Sequence, residues 1–161
     1  MGLAVVQALC QRENWLIHVL DVSETCLADV EKLSKNIRSH KADVTNYDQL
    51  ANVFQDAFSK DGSLDFVFAN AGIIESQDFY KVQKTDPPPN PDLRSVDVDL
   101  KGLILTCYLA QHYFRRSPHE GRGASLVLTA SCGSFYPSHY SPMYTAAKRE
   151  CCQNSVVEVS C

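Results

Sequence analysis

Apolar positions along this chain switch repeatedly between a spacing of three or four residues and short continuous runs, which lays out helices alternating with strands. Leu3 to Cys10 has the helical spacing. Trp15-Leu16-Ile17-His18-Val19-Leu20 reads as a buried strand closing at Asp21. Ser23 is placed to cap a second helix carrying Leu27, Val30 and Leu33. A short strand near Lys41-Ala42 leads through Asp43-Val44-Thr45 into a helix with Leu50, Val53, Phe54, Ala57 and Phe58 on one face. Thr45 and Asp48 have capping-box spacing, and Gly62 marks the helix end. Leu64 to Ala69 is a strand whose apolar faces suit a parallel sheet buried on both sides.

The Pro-rich stretch Thr85-Asp86-Pro87-Pro88-Pro89-Asn90-Pro91 reads as a surface loop. From Leu93 onward, Val96, Leu100, Leu103, Cys107, Ala110 and Phe114 recur in steps of three and four, which predicts a long helix with one apolar seam. Ser125 to Ala130 is the next strand and delivers Ser131 at its carboxyl end. Strands alternating with helices predict an α/β fold with a doubly wound parallel sheet and a ligand site at the strand carboxyl ends.

Composition narrows the picture further. The 161 residues are 45% hydrophobic, enough for one domain with its own core, so 1–161 is read as a single unit. Net charge is -4 with scattered basic residues, which points away from nucleic-acid and membrane surfaces. Apolar runs fall far short of a bilayer span, and Met1-Gly2-Leu3 opens without a basic leader, so a soluble, cytoplasmic protein is expected. Seven cysteines, including the vicinal Cys151 and Cys152, follow no disulfide or metal spacing and read as unremarkable thiols in a reducing compartment. Five scattered histidines form no metal motif, and no metal site is expected.

Candidate chemistry lies between Ser131 and Lys148. Tyr144 and Lys148, at i and i+4, share a helix face, so a lysine ammonium can sit beneath a phenol and draw its pKa toward the range of a general acid/base. Taken alone, this is an ordinary amphipathic pair. Ser131, thirteen residues before Tyr144, could hold the oxygen of an alcohol or ketone, and Asn70-Ala71-Gly72 forms a turn after Phe66-Val67-Phe68-Ala69. With Ser-x12-Tyr-x3-Lys and this Asn-Ala-Gly turn, the sequence resembles the short-chain dehydrogenase/reductase family.

The resemblance implies an NAD(P)-dependent oxidoreductase that interconverts a secondary alcohol and a ketone. Tyr144 would be the general acid/base, Ser131 the residue orienting the substrate oxygen, and Lys148 the group that activates tyrosine and holds the nicotinamide ribose. Asp21 closes the second family strand, where a carboxylate binds the adenosine ribose hydroxyls and repels a 2′-phosphate; NAD is therefore favoured, with NADP possible. A solvated strand-end aspartate is the plainer reading of Asp21. Asp43-Val44 matches the pair that meets adenine, and Asn70-Ala71-Gly72 the turn along the ribose; Gly72 could also be a turn glycine needing positive φ.

Asp99 replaces a family asparagine that helps anchor a water linking the lysine to solvent. It could act in that relay or be a surface aspartate. The Pro-rich insertion is similar to that of fungal and prostaglandin-dehydrogenase-like members, which suggests a tailoring step on a small metabolite. By the same analogy, the Leu93 to Phe114 helix would line a homodimer or tetramer interface.

Of the family's glycine-rich cradle, Gly2 matches the last glycine. The family's first strand, and the strands and substrate loop beyond Lys148, have no counterpart, so the resemblance covers Gly2 to about Lys148 of a domain of about 250 residues. The expectation is an incomplete sheet with a gap at its centre and a poor enzyme. A catalytically silent remnant that serves as a dimerisation partner is the alternative.

Overall fold

The computed structural model describes residues 1–12 and 14–153. The side chains of Cys151 and Cys152 and the tail 154–161 lie outside the described residues. The chain folds as parallel α/β. Strand β1 (Ile17–Asp21) pairs with β2 (Ile37–Lys41), Ile17 opposite Ile37 and Asp21 opposite Lys41. Strand β3 (Phe66–Ala69) pairs with β4 (Ser125–Leu128). Among the described residues these are two separate parallel pairs, with no strand joining β1 to β3. The rings of Trp15 and Phe66 meet edge to face at 5.9 Å between centroids, bringing the start of one pair against the start of the other.

Strand alternation divides β1 and β2 into two faces. Ile17, Val19 and Ile37 pack with Val30 of helix α2 (Glu24–Glu31) and with Val6, Leu9 and Cys10 of helix α1 (Gly2–Cys10). On the opposite face, Leu20 joins Leu50, Phe54 and Phe58 of helix α3 (Tyr47–Asp61) and Leu109 and Tyr113 of helix α5 (Leu103–Arg116). His18 and His40 share that second face, and His18 and Arg38 both bond Asp61 of α3. Burial, and then the neighbouring His18, lower the His40 pKa from the ordinary histidine value, so its ring is uncharged at neutral pH.

The helix ends follow side-chain capping. Ser23 caps α2 by accepting from the Cys26 amide, as its sequence position predicts. For α3 the expectation is corrected: Asn46, and not Thr45, is the cap, accepting from the Gln49 amide at 3.1 Å. Thr45 instead donates its hydroxyl to Asp43 at 2.8 Å, because Asp43 claims it in a local turn. Gly62 ends α3 in the left-handed conformation, φ 77°. Leu33 lies beyond the end of α2 and is exposed, and β2 begins four residues earlier than its predicted centre.

The long helix is interrupted. Helix α4 (Arg94–Val96) passes into a π-type turn (Asp97–Gly102) and then into α5, while 71–93 is irregular and largely exposed. Leu103, Ala110 and Phe114 are buried as the seam predicts. Upstream, the buried stripe runs through Ser95 and Asp99, beside the half-buried Val96 and Leu100. Apolar spacing misses this because a polar pairing, described below, draws Asp99 inward. These seam residues are used within the chain; the outward row of α5 carries exposed Ile104 and Tyr108. Helix α6 (Pro142–Gln153) follows β4, and no helix of the described residues is long and apolar enough to cross a membrane.

Gly102 lets the π-type turn close on the loop after β2: a Cβ there would lie 2.7 Å from Val44 Cγ2. Overpacking of this kind costs about 1–3 kcal/mol. Gly102→Ala should therefore lower stability in urea denaturation. Val44→Ala should be less harmful in that background than in the parent, with a coupling of at least about 0.5 kcal/mol. Additive effects of the two substitutions would show that this contact does not limit packing.

Candidate active site

Ser131 lies just beyond β4, where the chain turns into a short 3-10 segment (Cys132–Ser134). Its Oγ accepts from the Gly133 amide at 3.2 Å, and its own amide donates to Ser134 Oγ at 3.2 Å, a closed capping box. Ser134 is buried and donates its hydroxyl to the Lys148 carbonyl at 2.7 Å. One side chain thus ties the turn that holds Ser131 to the helix that holds Lys148. Pro142 opens α6 at a position that tolerates a missing amide hydrogen. In the first turn of α6, the Tyr144 amide donates to Glu75 Oε2 at 2.8 Å, so a residue from the loop after β3 satisfies one of the free helix amides.

Tyr144 is half-buried and faces Ser131 across Gly133. A Cβ at Gly133 would stand 3.6 Å from both Ser131 Oγ and Tyr144 Cε1, so a bare backbone separates hydroxyl and ring. Lys148, one turn further on, places its Nζ 5.7 Å from the centre of the Tyr144 ring. The structure brings Ser131, Tyr144 and Lys148 together as the spacing predicts.

Asp99 belongs to the same cluster. It is 1% exposed, and its Oδ2 lies 3.3 Å from Lys148 Nζ. Its Oδ1 accepts from the Ile73 amide at 2.8 Å. The reading of Asp99 as a surface aspartate is therefore corrected. Lys148 Nζ also donates to the Thr129 carbonyl at 3.2 Å, so the ammonium is shared between a carboxylate and the end of β4. Gly72 completes the packing: a Cβ there would lie 3.1 Å from Lys148 Nζ and 3.4 Å from Asp99 Oδ2. Close approach, and not a positive φ, is what its position requires, since Gly62, Gly121 and Gly123 are the glycines with positive φ among the described residues.

The residues matched to cofactor contacts also gather at strand carboxyl ends. Asp21 ends β1, exposed, with Oδ1 accepting from the Ser23 amide at 2.8 Å. Asp43 follows β2 and accepts from the Thr45 amide and hydroxyl. Val44 packs on Gly102. Asn70, directly after β3, accepts from the Thr129 hydroxyl at 3.1 Å, and its amide nitrogen lies against Gly2, where a Cβ would stand 3.1 Å away. Ala71 joins Asn70 to Gly72 in an exposed turn. An open, mainly apolar cleft of about 520 Å³ lies beside Ser131, walled by Met1, Phe68, Leu128, Cys132 and Phe135.

Glu75, Thr129 and Ser134 are the positioning residues that sequence reasoning missed. Ser134 had a visible signal, the Ser-x2-Ser spacing of a capping box. Glu75 stands sixty-nine residues from its partner and left none.

A family model for short chain dehydrogenase matches residues 1–153. The chain is 53% identical over 154 residues to the short-chain dehydrogenase/reductase prx7 of Penicillium rubens, covering 92% of this chain and 55% of that protein. It is 38% identical over 157 residues to prx6 of the same organism, covering 92% and 51%. It spans about half the length of these curated relatives. Among solved structures, gox2181 superposes with a TM-score of 0.73 at 20% identity, covering 94% of this chain and 59% of that one. A short-chain dehydrogenase/reductase from Brucella melitensis gives 0.72 at 20% identity, covering 93% and 61%. The serine, tyrosine and lysine converge on such a sheet, and with the match across 1–153 the chain belongs to the short-chain dehydrogenase/reductase family of oxidoreductases.

Proposed function

We propose that this site serves the oxidation of a secondary alcohol, or the reduction of the corresponding ketone, on a small metabolite, with NAD as the favoured cofactor. The observation that carries the reading is the convergence of Ser131, Tyr144 and the buried Lys148–Asp99 pair at the carboxyl end of β4. A nicotinamide cofactor, when bound, supplies the hydride acceptor or donor. The residues present fit such a group: Asp21, Asp43 and Asn70 present polar atoms at successive strand ends, while Gly2 and Gly72, lacking a Cβ, let the side chains of Asn70 and Lys148 pack close at the site. Residues 1–153 would form a nucleotide-binding unit of Rossmann type.

Tyr144 would move the proton at the substrate oxygen. Ser131 Oγ accepts from the Gly133 amide, and its hydroxyl proton, which makes only a long 3.9 Å contact to Cys132 Sγ, would turn to donate to that oxygen. Lys148 would bring positive charge to the tyrosine and a donor to the nicotinamide ribose. Asp99 and the Thr129 carbonyl fix its ammonium, and the link from Asp99 to the Ile73 amide holds the turn after β3 against it. The apolar cleft beside Ser131 would receive the carbon frame of the substrate. Fungal relatives include a protein named 5′-hydroxyaverantin dehydrogenase, from Dothistroma septosporum, 25% identical over 165 residues and covering 92% of this chain and 54% of that protein. A secondary-metabolite alcohol is consistent with that likeness. Homodimer or tetramer assembly would use the outward row of α5, where Ile104 and Tyr108 are exposed.

Three measurements test this. NADH fluorescence titration should show saturable binding; its absence, together with no turnover, would favour the silent dimerisation partner instead. In a chain extended at both ends to the length of its relatives, Tyr144→Phe should lower turnover of secondary alcohols by about 10²–10⁴-fold while leaving NADH affinity close to unchanged, because a proton-transfer group alone is removed. Lys148→Met should reduce both. Full activity in Tyr144→Phe would sink the assignment.

Cofactor choice has its own test. Asp21→Ala should relax the preference for NADH over NADPH by about tenfold, equivalent to about 1.4 kcal/mol. Equal or tighter NADPH binding by the parent protein would overturn the NAD reading.

A further inference from the structure

A second polar cluster lies on the face of β1 and β2 that looks toward α3. His18 Nδ1 is 2.8 Å from His40 Nε2, and the two rings meet edge to edge in nearly one plane, with centroids 5.1 Å apart and 14° between planes. His18 Nε2 is 2.8 Å from Asp61 Oδ2, and the other oxygen of Asp61 accepts from Arg38 at 2.9 Å. Asp56 stands on the same helix as Asp61. Donor atoms of His18, His40 and Asp56 all lie within 4.8 Å of one another, each residue half-buried.

The arrangement of protons is informative. An ionised Asp61 accepts from His18 Nε2, which fixes that tautomer and leaves a lone pair on Nδ1 aimed at His40. A carboxylate bonded to the far nitrogen of a histidine is the outer-shell device that orients imidazoles toward metals. Two imidazole nitrogens and one carboxylate oxygen, with a water as fourth ligand, suit Zn²⁺ and its borderline neighbours better than the all-oxygen shells preferred by Ca²⁺ or Mg²⁺. Tetrahedral ligands about 2.0 Å from zinc stand about 3.3 Å apart. The two histidine nitrogens would thus need to separate by about half an ångström, and each ring would swing by about 35° so that its lone pair points at the ion and not at the other ring. His40 must shift its proton from Nε2 to Nδ1. Asp56 must release Lys60, now 2.7 Å away in an exposed pair worth little.

We propose that His18 Nδ1, His40 Nε2 and Asp56 form a site for a zinc-class divalent cation, with Asp61 as the orienting outer-shell carboxylate. His18 lies at the amino-terminal part of β1, away from Asp21 at its carboxyl end, so the ion would serve as a staple between the β1–β2 pair and α3 and not in proton transfer.

Calorimetric titration of the purified chain with Zn²⁺ should show one saturable site and a raised melting temperature. With Co²⁺ the visible spectrum should be that of a tetrahedral nitrogen/oxygen site, without the near-ultraviolet charge-transfer band of thiolate ligation, which separates it from binding by the cysteines. His18→Gln and His40→Gln should each weaken Zn²⁺ by at least about tenfold, and Asp61→Asn by about tenfold. Lys60→Ala should tighten binding several-fold, because it removes the competitor for Asp56. No saturable binding at submillimolar Zn²⁺, a thiolate band, or equal affinity in folded His18→Gln and His40→Gln would overturn the proposal. If the strand variants do not fold, unchanged affinity in both Lys60→Ala and Asp56→Asn overturns it equally.

Discussion

The buried ion pair between Lys148 and Asp99 is the constraint on which the site depends. Both side chains are almost wholly removed from water, 5% and 0% exposed, and a lone charge in such a place costs several kcal/mol. Each partner is therefore tolerable because of the other. The pair also collects four parts of the chain: the ammonium meets the end of β4 through Thr129, and the carboxylate meets the loop after β3 through Ile73. Asp99 comes from the π-type turn and Lys148 from α6. A π-type turn is frequent where a helix serves a site and not its own regularity. Here it places a carboxylate in the buried stripe, at a position where apolar spacing gives no reason for burial.

Much of this was legible before any coordinates. Fold class followed from the alternation of periods, and the shared helix face of Tyr144 and Lys148 from their spacing, because both depend on local geometry that residue intervals record directly, whereas Ser131 entered through the family resemblance. Ser23 and Gly62 announced their caps for the same reason. Asp99 was visible as a substitution, but its burial was not, since a helix face is assigned from apolar residues and a paired charge breaks that rule. The cap of α3 was misplaced by one residue because Thr45 and Asn46 are both competent, and Asp43 decides between them by engaging Thr45. Long-range contacts left no trace. Neither the Glu75 bond to the Tyr144 amide nor the meeting of His18 with Asp61 can be read from intervals of sixty-nine and forty-three residues.

The same contrast appears in β1. Its sequence reads as a buried strand, and within it His18 turns part of the hydrophobic layer toward α3 into a polar one. Such a polar patch in a sheet-helix layer holds the helix by directional bonds, which set where α3 lies along the strand more sharply than apolar packing does.

Ser134 carries a consequence for how the site could diversify. By linking the Ser131 amide to the Lys148 carbonyl, it joins turn and helix into one rigid cassette. A drift of α6 in response to a new wall residue would carry serine, tyrosine and lysine along together and leave their mutual distances intact. The cleft walls at Phe68, Leu128 and Phe135 lie outside that linkage. A change at the walls therefore leaves the mutual placement of Ser131, Tyr144 and Lys148 as it stands, so the shape of the cleft and the arrangement of the three side chains can vary separately.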